Sequence, residues 1–202
     1  MRLLIASKNR GKVAEIRALL GLSLQKVVQV VTLAELPDVV QPRESGRTFA
    51  ENARLKALHY AKAHKVLCIA DDSGLAVEQL GGLPGVRSAR FAGEGASDAA
   101  NNAHLLHELG PFPRPWKAAF VCVAAAALPQ RVVAEATGKA EGEILPAGRG
   151  REGFGYDPLF FVPSLGKTMA ELSTEEKNRI SHRGHALRAL IDEMKTAGLL
   201  LS

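Results

Sequence analysis

Hydrophobic residues along this chain alternate between short apolar runs and stripes at helical spacing. Residues 2–7 predict a strand, and after the turn Lys8-Asn9-Arg10-Gly11 the residues Val13, Ile16, Leu19 and Leu20 recur on one face of a predicted helix. Residues 27–32 predict a second strand, followed over 33–47 by a connection that carries Pro37, Pro42, Asp38 and Glu44. Thr48-Phe49-Ala50-Glu51 has capping-box spacing and opens a predicted helix reaching about residue 64, with Asn52, Lys56 and His59 on one polar side. The run Val66-Leu67-Cys68-Ile69-Ala70 predicts a buried strand, which the turn-forming tetrad Asp71-Asp72-Ser73-Gly74 is expected to end.

Beyond the tetrad, Gly81-Gly82-Leu83-Pro84-Gly85 predicts a loop and residues 97–109 a helix. Two long strands are predicted over 117–128 and 131–142, with only Pro129 and Gln130 between them, as in a hairpin. A glycine-rich stretch over 148–155 precedes a short strand at 159–162, and Ser173-Thr174-Glu175-Glu176 gives a second capping box. The last helix, over about 181–199, buries Leu187, Leu190, Ile191 and Met194. Strand–helix–strand units combined with a hairpin predict an α/β fold with a mixed sheet. The chain shows no repeat and no linker, and 202 residues suit one domain spanning 1–202.

Composition narrows the class. Apolar residues at 47% and charged residues at 23% are ordinary globular values, so the chain is expected to fold throughout. Residues 1–7 are too short an apolar stretch for a signal segment, and the longest apolar run, 118–128, falls well short of the roughly 20 residues that cross a bilayer. A cytoplasmic protein without membrane contact is expected. Cys68 and Cys122 each lie within an apolar run, where free cysteines behave as small hydrophobes, so two reduced buried thiols are expected. A net charge of +5 admits a nucleic-acid binding module, but the basic residues are scattered without aromatic interleaving. A phosphate-bearing small ligand accounts for that charge equally well.

Four segments carry candidate chemistry. Two adjacent carboxylates at Asp71-Asp72 need a cation, either basic side chains or a hard divalent metal held through oxygen; Mg²⁺ usually takes one or two protein carboxylates together with substrate phosphates. Ser7-Lys8-Asn9-Arg10-Gly11-Lys12 lies where a strand turns into a helix, where free backbone N–H groups favour an anion, and reads either as a phosphate site or as a solvated basic turn. It is not a Walker A loop, since Val13 follows Lys12. In Phe154-Gly155-Tyr156-Asp157 an aromatic beside glycines can stack on a planar base or fill a core edge, and Asp157 can accept from a ring N–H or an amine. Ser181-His182-Arg183-Gly184 puts two potentially cationic side chains in the first turn of a helix, the wrong end for the dipole at about 0.3–1 kcal/mol per charge, which points either to a compensating role or to a surface pair that tolerates the small penalty. Lys177, just upstream, either faces phosphate or is solvated.

Together these segments closely resemble the inosine triphosphate pyrophosphatase family, the Ham1-like or RdgB-like house-cleaning hydrolases of non-standard purine nucleotides. The resemblance runs in order over essentially the whole chain, with the 81–85 loop and the 171–177 segment included. It implies a single domain with a long, strongly twisted mixed sheet flanked by helices in two lobes, a homodimer, and hydrolysis of ITP, dITP and XTP to the nucleoside monophosphate and pyrophosphate, which keeps such bases out of DNA and RNA. Carried over by residue, it implies substrate binding by Ser7, Lys8, Asn9, Arg10, Gly11 and Lys12, with Ser7-Lys8 standing where Thr-Gly is usual. It implies that Asp72 is a ligand of Mg²⁺ (or Mn²⁺) and also the proton acceptor, and that Ser73 contacts the nucleotide. Phe154, Gly155, Tyr156, Asp157, Lys177, His182 and Arg183 complete the nucleotide site, with Asp71, Lys12 and Lys56 as catalytic helpers and Glu44 as a second metal ligand, for which Asp38 is the alternative.

The chemistry implied is attack of an Asp72-oriented water on the α-phosphorus, with His182 and Arg183 donating to the 6-oxo group of hypoxanthine or xanthine. Adenine would leave those donors unpaired, whereas guanine must be rejected at its 2-amino group. Against this stand the nucleic-acid module and a dehalogenase-type phosphatase, whose two nucleophile-motif Asp residues are spaced one apart rather than adjacent.

Overall fold

The computed structural model describes residues 2–24 and 28–200. Among them, the apolar runs form strands β1 (Arg2–Ile5), β2 (Gln29–Thr32), β3 (Leu67–Val77), β4 (Trp116–Leu128), β5 (Arg131–Ile144), β6 (Phe160–Val162) and β7 (Lys167–Thr168). They join in one sheet of order β2-β1-β3-β4-β5-β6-β7. β1 is parallel to β2 and β3, whereas β6 is antiparallel to β5 and β7, so the sheet is mixed, as the strand–helix–strand and hairpin pattern predicts. The helices are α1 (Arg10–Leu24), α2 (Phe49–His64), α3 (Asp98–Leu109), α4 (Thr174–Ile180) and α5 (His182–Thr196). Val27, predicted to start the second strand, lies outside the described residues.

Local chemistry sets the helix starts. Asn9 Oδ1 accepts the Lys12 N–H at 3.0 Å and caps α1, and Thr48 Oγ1 accepts the Glu51 N–H at 3.2 Å and caps α2. The predicted box at α2 closes one residue upstream: the Glu51 carboxylate takes the Arg47 N–H at 2.6 Å. At α4 the box is reciprocal between Ser173 and Glu176.

One expectation is overturned. Asp71-Asp72-Ser73-Gly74 is not a turn but the interior of β3, which runs on to Val77. Tertiary surroundings override turn propensity here, because β3 lies between β1 and β4 and its carboxylates meet cations on both faces.

The contacts divide the chain into two compact units, each assembled from separate segments. The first comprises 1–72, 122–138 and 182–202, the second 73–121 and 139–181, and β3, β4 and β5 each contribute to both. The first unit is a three-layer arrangement whose faces follow strand alternation. Leu3, Ile5, Leu67, Ile69, Cys122, Ala124 and Ala126 pack with Ile16 and Leu20 of α1 and with Leu187, Leu190, Ile191 and Met194 of α5. Leu4, Ala6, Cys68, Ala70, Val123, Ala125 and Ala127 point the other way, against Ala53, Ala57, Tyr60 and Ala61 of α2. α5 seats very closely on β5: a Cβ at Gly138 would collide with the His182 carbonyl and the Ala186 backbone nitrogen. The second unit packs Leu105 and Leu109 of α3 on Leu75, Val77, Trp116, Phe120 and Phe160, with the Phe120 and Phe160 rings 4.4 Å apart.

Candidate functional site

The alternation that builds the first unit also separates the paired carboxylates. Asp71 continues the series Leu67, Ile69 toward α1 and α5, and Asp72 continues Cys68, Ala70 toward α2. Neighbours in sequence thus serve opposite faces of the sheet. On its face, Asp71 Oδ2 accepts from Lys12 Nζ at 3.1 Å and Arg183 Nε at 3.2 Å, with the Cys122 thiol at 3.8 Å. Arg183 also pairs through Nη1 with Glu15, and this guanidinium is only 2% exposed. Asp72 instead accepts from Asn52 Nδ2 at 3.1 Å and Lys56 Nζ at 3.3 Å, both on the predicted polar side of α2. His59, the third member of that side, bonds to the Val40 carbonyl at 2.8 Å.

These surroundings drive the two carboxylates apart. Burial by itself would raise the Asp71 pKa, but Lys12, then Arg183 and Lys56, outweigh it and hold the group well below the usual carboxylate range. For Asp72 burial prevails over Lys56 and Lys12, and its pKa lies above the ordinary value. Lys56 has the reverse balance: burial favours the neutral amine, yet Asp72, Asp71 and Glu44 keep it charged and raise its pKa. Two titratable neighbours with opposed shifts are a common sign of divided acid–base roles.

The donor set bears on a metal. Glu44 Oε2 lies 3.2 Å from the Lys56 ammonium that also meets Asp72, so two carboxylates from distant segments converge on one cation. Asp38, the alternative acidic residue of that connection, is exposed. Among the described residues no group of three or more His, Cys, Asp or Glu side chains forms a ready-made cage. Two carboxylate oxygens suit Mg²⁺, which keeps waters and takes substrate phosphates, better than they suit a thiolate- or imidazole-seeking metal. Glu15, Glu44, Asp71 and Asp72 outnumber Lys12, Lys56 and Arg183 by one, so these seven groups alone would repel a polyphosphate, and a divalent cation reverses that sign.

The predicted anion turn also belongs to the first unit. Ser7 Oγ accepts the Asn9 N–H at 3.3 Å, while Lys8, Asn9 and Arg10 are exposed, and Gly11 and Lys12 lie on the first turn of α1. His182 is buried as the first residue of α5, and the unfavourable charge of Arg183 at that helix start is compensated by Asp71 and Glu15.

A second cluster forms within the other unit. Asp157 and Lys177 make a buried ion pair at 2.6 Å, and Lys177 Nζ sits 4.8 Å from the centre of the Phe154 ring. The Phe154 N–H donates to Asp157 Oδ2 at 2.8 Å, and the Tyr156 hydroxyl donates to the Ser88 carbonyl at 2.9 Å. Gly155 holds a φ of +63° between them. Ser73 lies in β3 at the start of this unit, partly buried.

Four contributors escaped the sequence pattern. Glu15 had a visible signal, a carboxylate one residue before Ile16 on the apolar stripe of α1. Cys122 looked like a core residue and is one, although its thiol also points at Asp71. Asp98 and Asn102 of α3, which bond to Gly155, gave no signal.

Fold and clusters define a mixed α/β protein with a carboxylate–ammonium centre in one unit and an aromatic–lysine centre in the other. The chain belongs to the Ham1 family, whose pattern matches residues 3–193. It is 50% identical over 192 residues to a dITP/XTP pyrophosphatase of Geobacillus kaustophilus, covering 95% of this chain and 93% of the relative. A dITP/XTP pyrophosphatase of Geobacter sulfurreducens is 47% identical over 200 residues, covering 98% of each. Among solved structures, the Staphylococcus aureus Ham1 protein superposes with a TM-score of 0.82 at 42% identity, covering 98% of this chain and 100% of that one. A HAM1 protein from Coxiella burnetii gives 0.84 at 40% identity, covering 97% and 99%.

Proposed function

We propose that the protein is a nucleoside triphosphate pyrophosphatase that hydrolyses non-canonical purine nucleotides of the dITP and XTP class to the monophosphate and pyrophosphate. The observation that carries the reading is the division of Asp71 from Asp72. One carboxylate is kept ionised by Lys12 and Arg183, and the other, with its pKa raised, sits beside Lys56 and Glu44. A carboxylate is an ordinary proton acceptor for an attacking water, and Asp72 and Glu44 converge from distant segments on one ammonium. Asp72 is therefore assigned as general base for water attacking the α-phosphorus, which releases pyrophosphate as the leaving group. Lys12 and Lys56 neutralise phosphate charge, and the turn over residues 7–12, whose Asn9 and Lys12 N–H groups are taken up within the turn, offers its other backbone N–H groups to phosphate oxygens. Asp72 and Glu44 would hold Mg²⁺, which when bound supplies positive charge at the phosphates and a more acidic water. Phe154 offers a stacking surface for the purine, with Asp157 oriented by Lys177 to accept from a ring N–H. A homodimer is part of the same proposal, read from the family resemblance.

A panel of nucleoside triphosphates with pyrophosphate and orthophosphate assayed separately tests the reaction. dITP and XTP should give pyrophosphate in a one-to-one ratio with monophosphate, with ATP and GTP turned over far more slowly. Orthophosphate as the first product, or equal rates for ATP, would overturn the assignment. Light scattering in solution checks the dimer.

A further inference from the structure

Gly155 is gripped from one helix on both of its polar groups. Its N–H donates to Asp98 Oδ2 at 2.7 Å, and its carbonyl accepts from Asn102 Nδ2 at 2.9 Å. Asp98 and Asn102 are four residues apart on α3, so they share one face and present an acceptor and a donor at a fixed spacing. The helix that carries them is itself anchored. Ser97 caps it by accepting the Ala100 N–H at 3.2 Å, Leu105 and Leu109 are fully buried in the core, and Asn101 bonds to the Ala92 N–H and the Ala89 carbonyl. A packed helix thus holds the one residue of the 154–157 segment whose left-handed backbone leaves the path of its neighbours most open.

The geometry points to Asp98 and Asn102 as positioning residues for purine recognition. By fixing both peptide groups of Gly155 they set the plane in which the Phe154 ring is presented, and so the fit of one purine base against another. Neither residue needs to touch the nucleotide. The inference rests on the proposed role of Phe154 and Asp157 toward the base and adds the element that orients them. Loss of one such hydrogen bond is worth about 1 kcal/mol, or roughly fivefold in an equilibrium constant. The Asp98 bond is exposed and the Asn102 bond partly buried, which makes Asn102 the larger contributor.

The test measures kcat, KM and the dITP-over-dGTP ratio for Asp98→Ala, Asn102→Leu, Asp98→Asn and Phe154→Ala in the full-length protein with Mg²⁺. Asp98→Ala and Asn102→Leu should each raise the dITP KM about fivefold and erode the ratio while kcat stays within about twofold. Asp98→Asn keeps an acceptor for the Gly155 N–H and should restore KM to near the parent value. If KM and the ratio do not move in Asp98→Ala and Asn102→Leu but do move in Phe154→Ala, the clamp is idle and the inference fails while the base-binding role stands. If Phe154→Ala also changes neither, that role falls and the clamp with it. A drop in kcat matching a drop in melting temperature, without a change in ratio, marks both residues as merely structural and likewise overturns the inference. Should Asp98→Ala not fold, Asn102→Leu decides alone.

Discussion

The two clusters solve different problems. The first unit contains 16 Lys and Arg residues against 10 Asp and Glu, whereas the second has 10 against 11, so the net charge of +5 is a property of the first unit. In that unit the chemistry is written in charge: carboxylates on both faces of β3, each matched to cations from a different helix. In the other unit a buried ion pair between Asp157 and Lys177 braces an aromatic segment that is also held by hydrogen bonds to backbone groups. Charge of that kind suits phosphate and water, whose ionisation changes during hydrolysis. Rigid shape and directional hydrogen bonds suit a neutral purine, where discrimination comes from fit and from unpaired donors. The basic surplus that admitted nucleic acid thus lies in the first unit, outside the seven charged groups of its carboxylate centre, which carry one acid in excess.

The largest effect is expected at Asp72. Asp72→Asn should lower kcat by about 10²–10⁴ with KM changed little, the loss expected for a general base. Pyrophosphate release near the parent rate would remove Asp72 from that role and leave the first unit without its assigned chemistry. Next is Arg183, which ties the two halves of the charge network on the α5 face. Arg183→Ala takes a shared buried cation from Glu15 and from Asp71, which keeps Lys12, and should cost about 3–5 kcal/mol in denaturant unfolding. If stability is preserved and only the dITP-over-ATP ratio falls, the arginine is chiefly a base reader, as the family resemblance implies.

On the other side of the comparison, Phe154→Ala should raise KM with kcat largely kept, by an amount equivalent to about 1–3 kcal/mol of base stacking. A fall in kcat alone would mean that the aromatic segment acts on the chemistry rather than on the base. The smallest effect is at Glu176, whose pKa is held below its ordinary value of 4.5 mainly by the Ser173 N–H. A carboxylate depressed in the folded state stabilises above its unfolded pKa, and this contribution disappears as pH falls through the folded value. Melting temperature measured from pH 6 downward, about the upper edge of that window, should therefore drop less steeply in Glu176→Gln than in the parent. Parallel curves would mean that the cap has no linkage.

What could be read in advance divides along the same physical lines. Helix starts were legible because capping is local: Thr48, Ser97 and Ser173 each accept the N–H three residues on. The polar side of α2 was legible for the same reason, since helical spacing places Asn52 and Lys56 together. The path of β3 was not. Asp, Ser and Gly favour turns locally, and only the cations brought by α1, α2 and α5 make the same residues tolerable inside a strand. Once the tetrad is a strand, period-two alternation assigns its carboxylates to opposite faces, a consequence that a turn at these residues would not have. Glu15 lies 168 positions from Arg183 and Asp98 57 from Gly155, separations over which local pattern carries no information.

The close approach at Gly138 turns a missing side chain into a gauge of height. No charged or polar side-chain atom stands at that position, yet the first turn of α5 rests on its bare backbone, and that turn carries His182 and Arg183. Even one methyl group there would collide with the backbone of that turn, so the seat of the helix that delivers the arginine to Asp71 is set by a hydrogen atom on a strand.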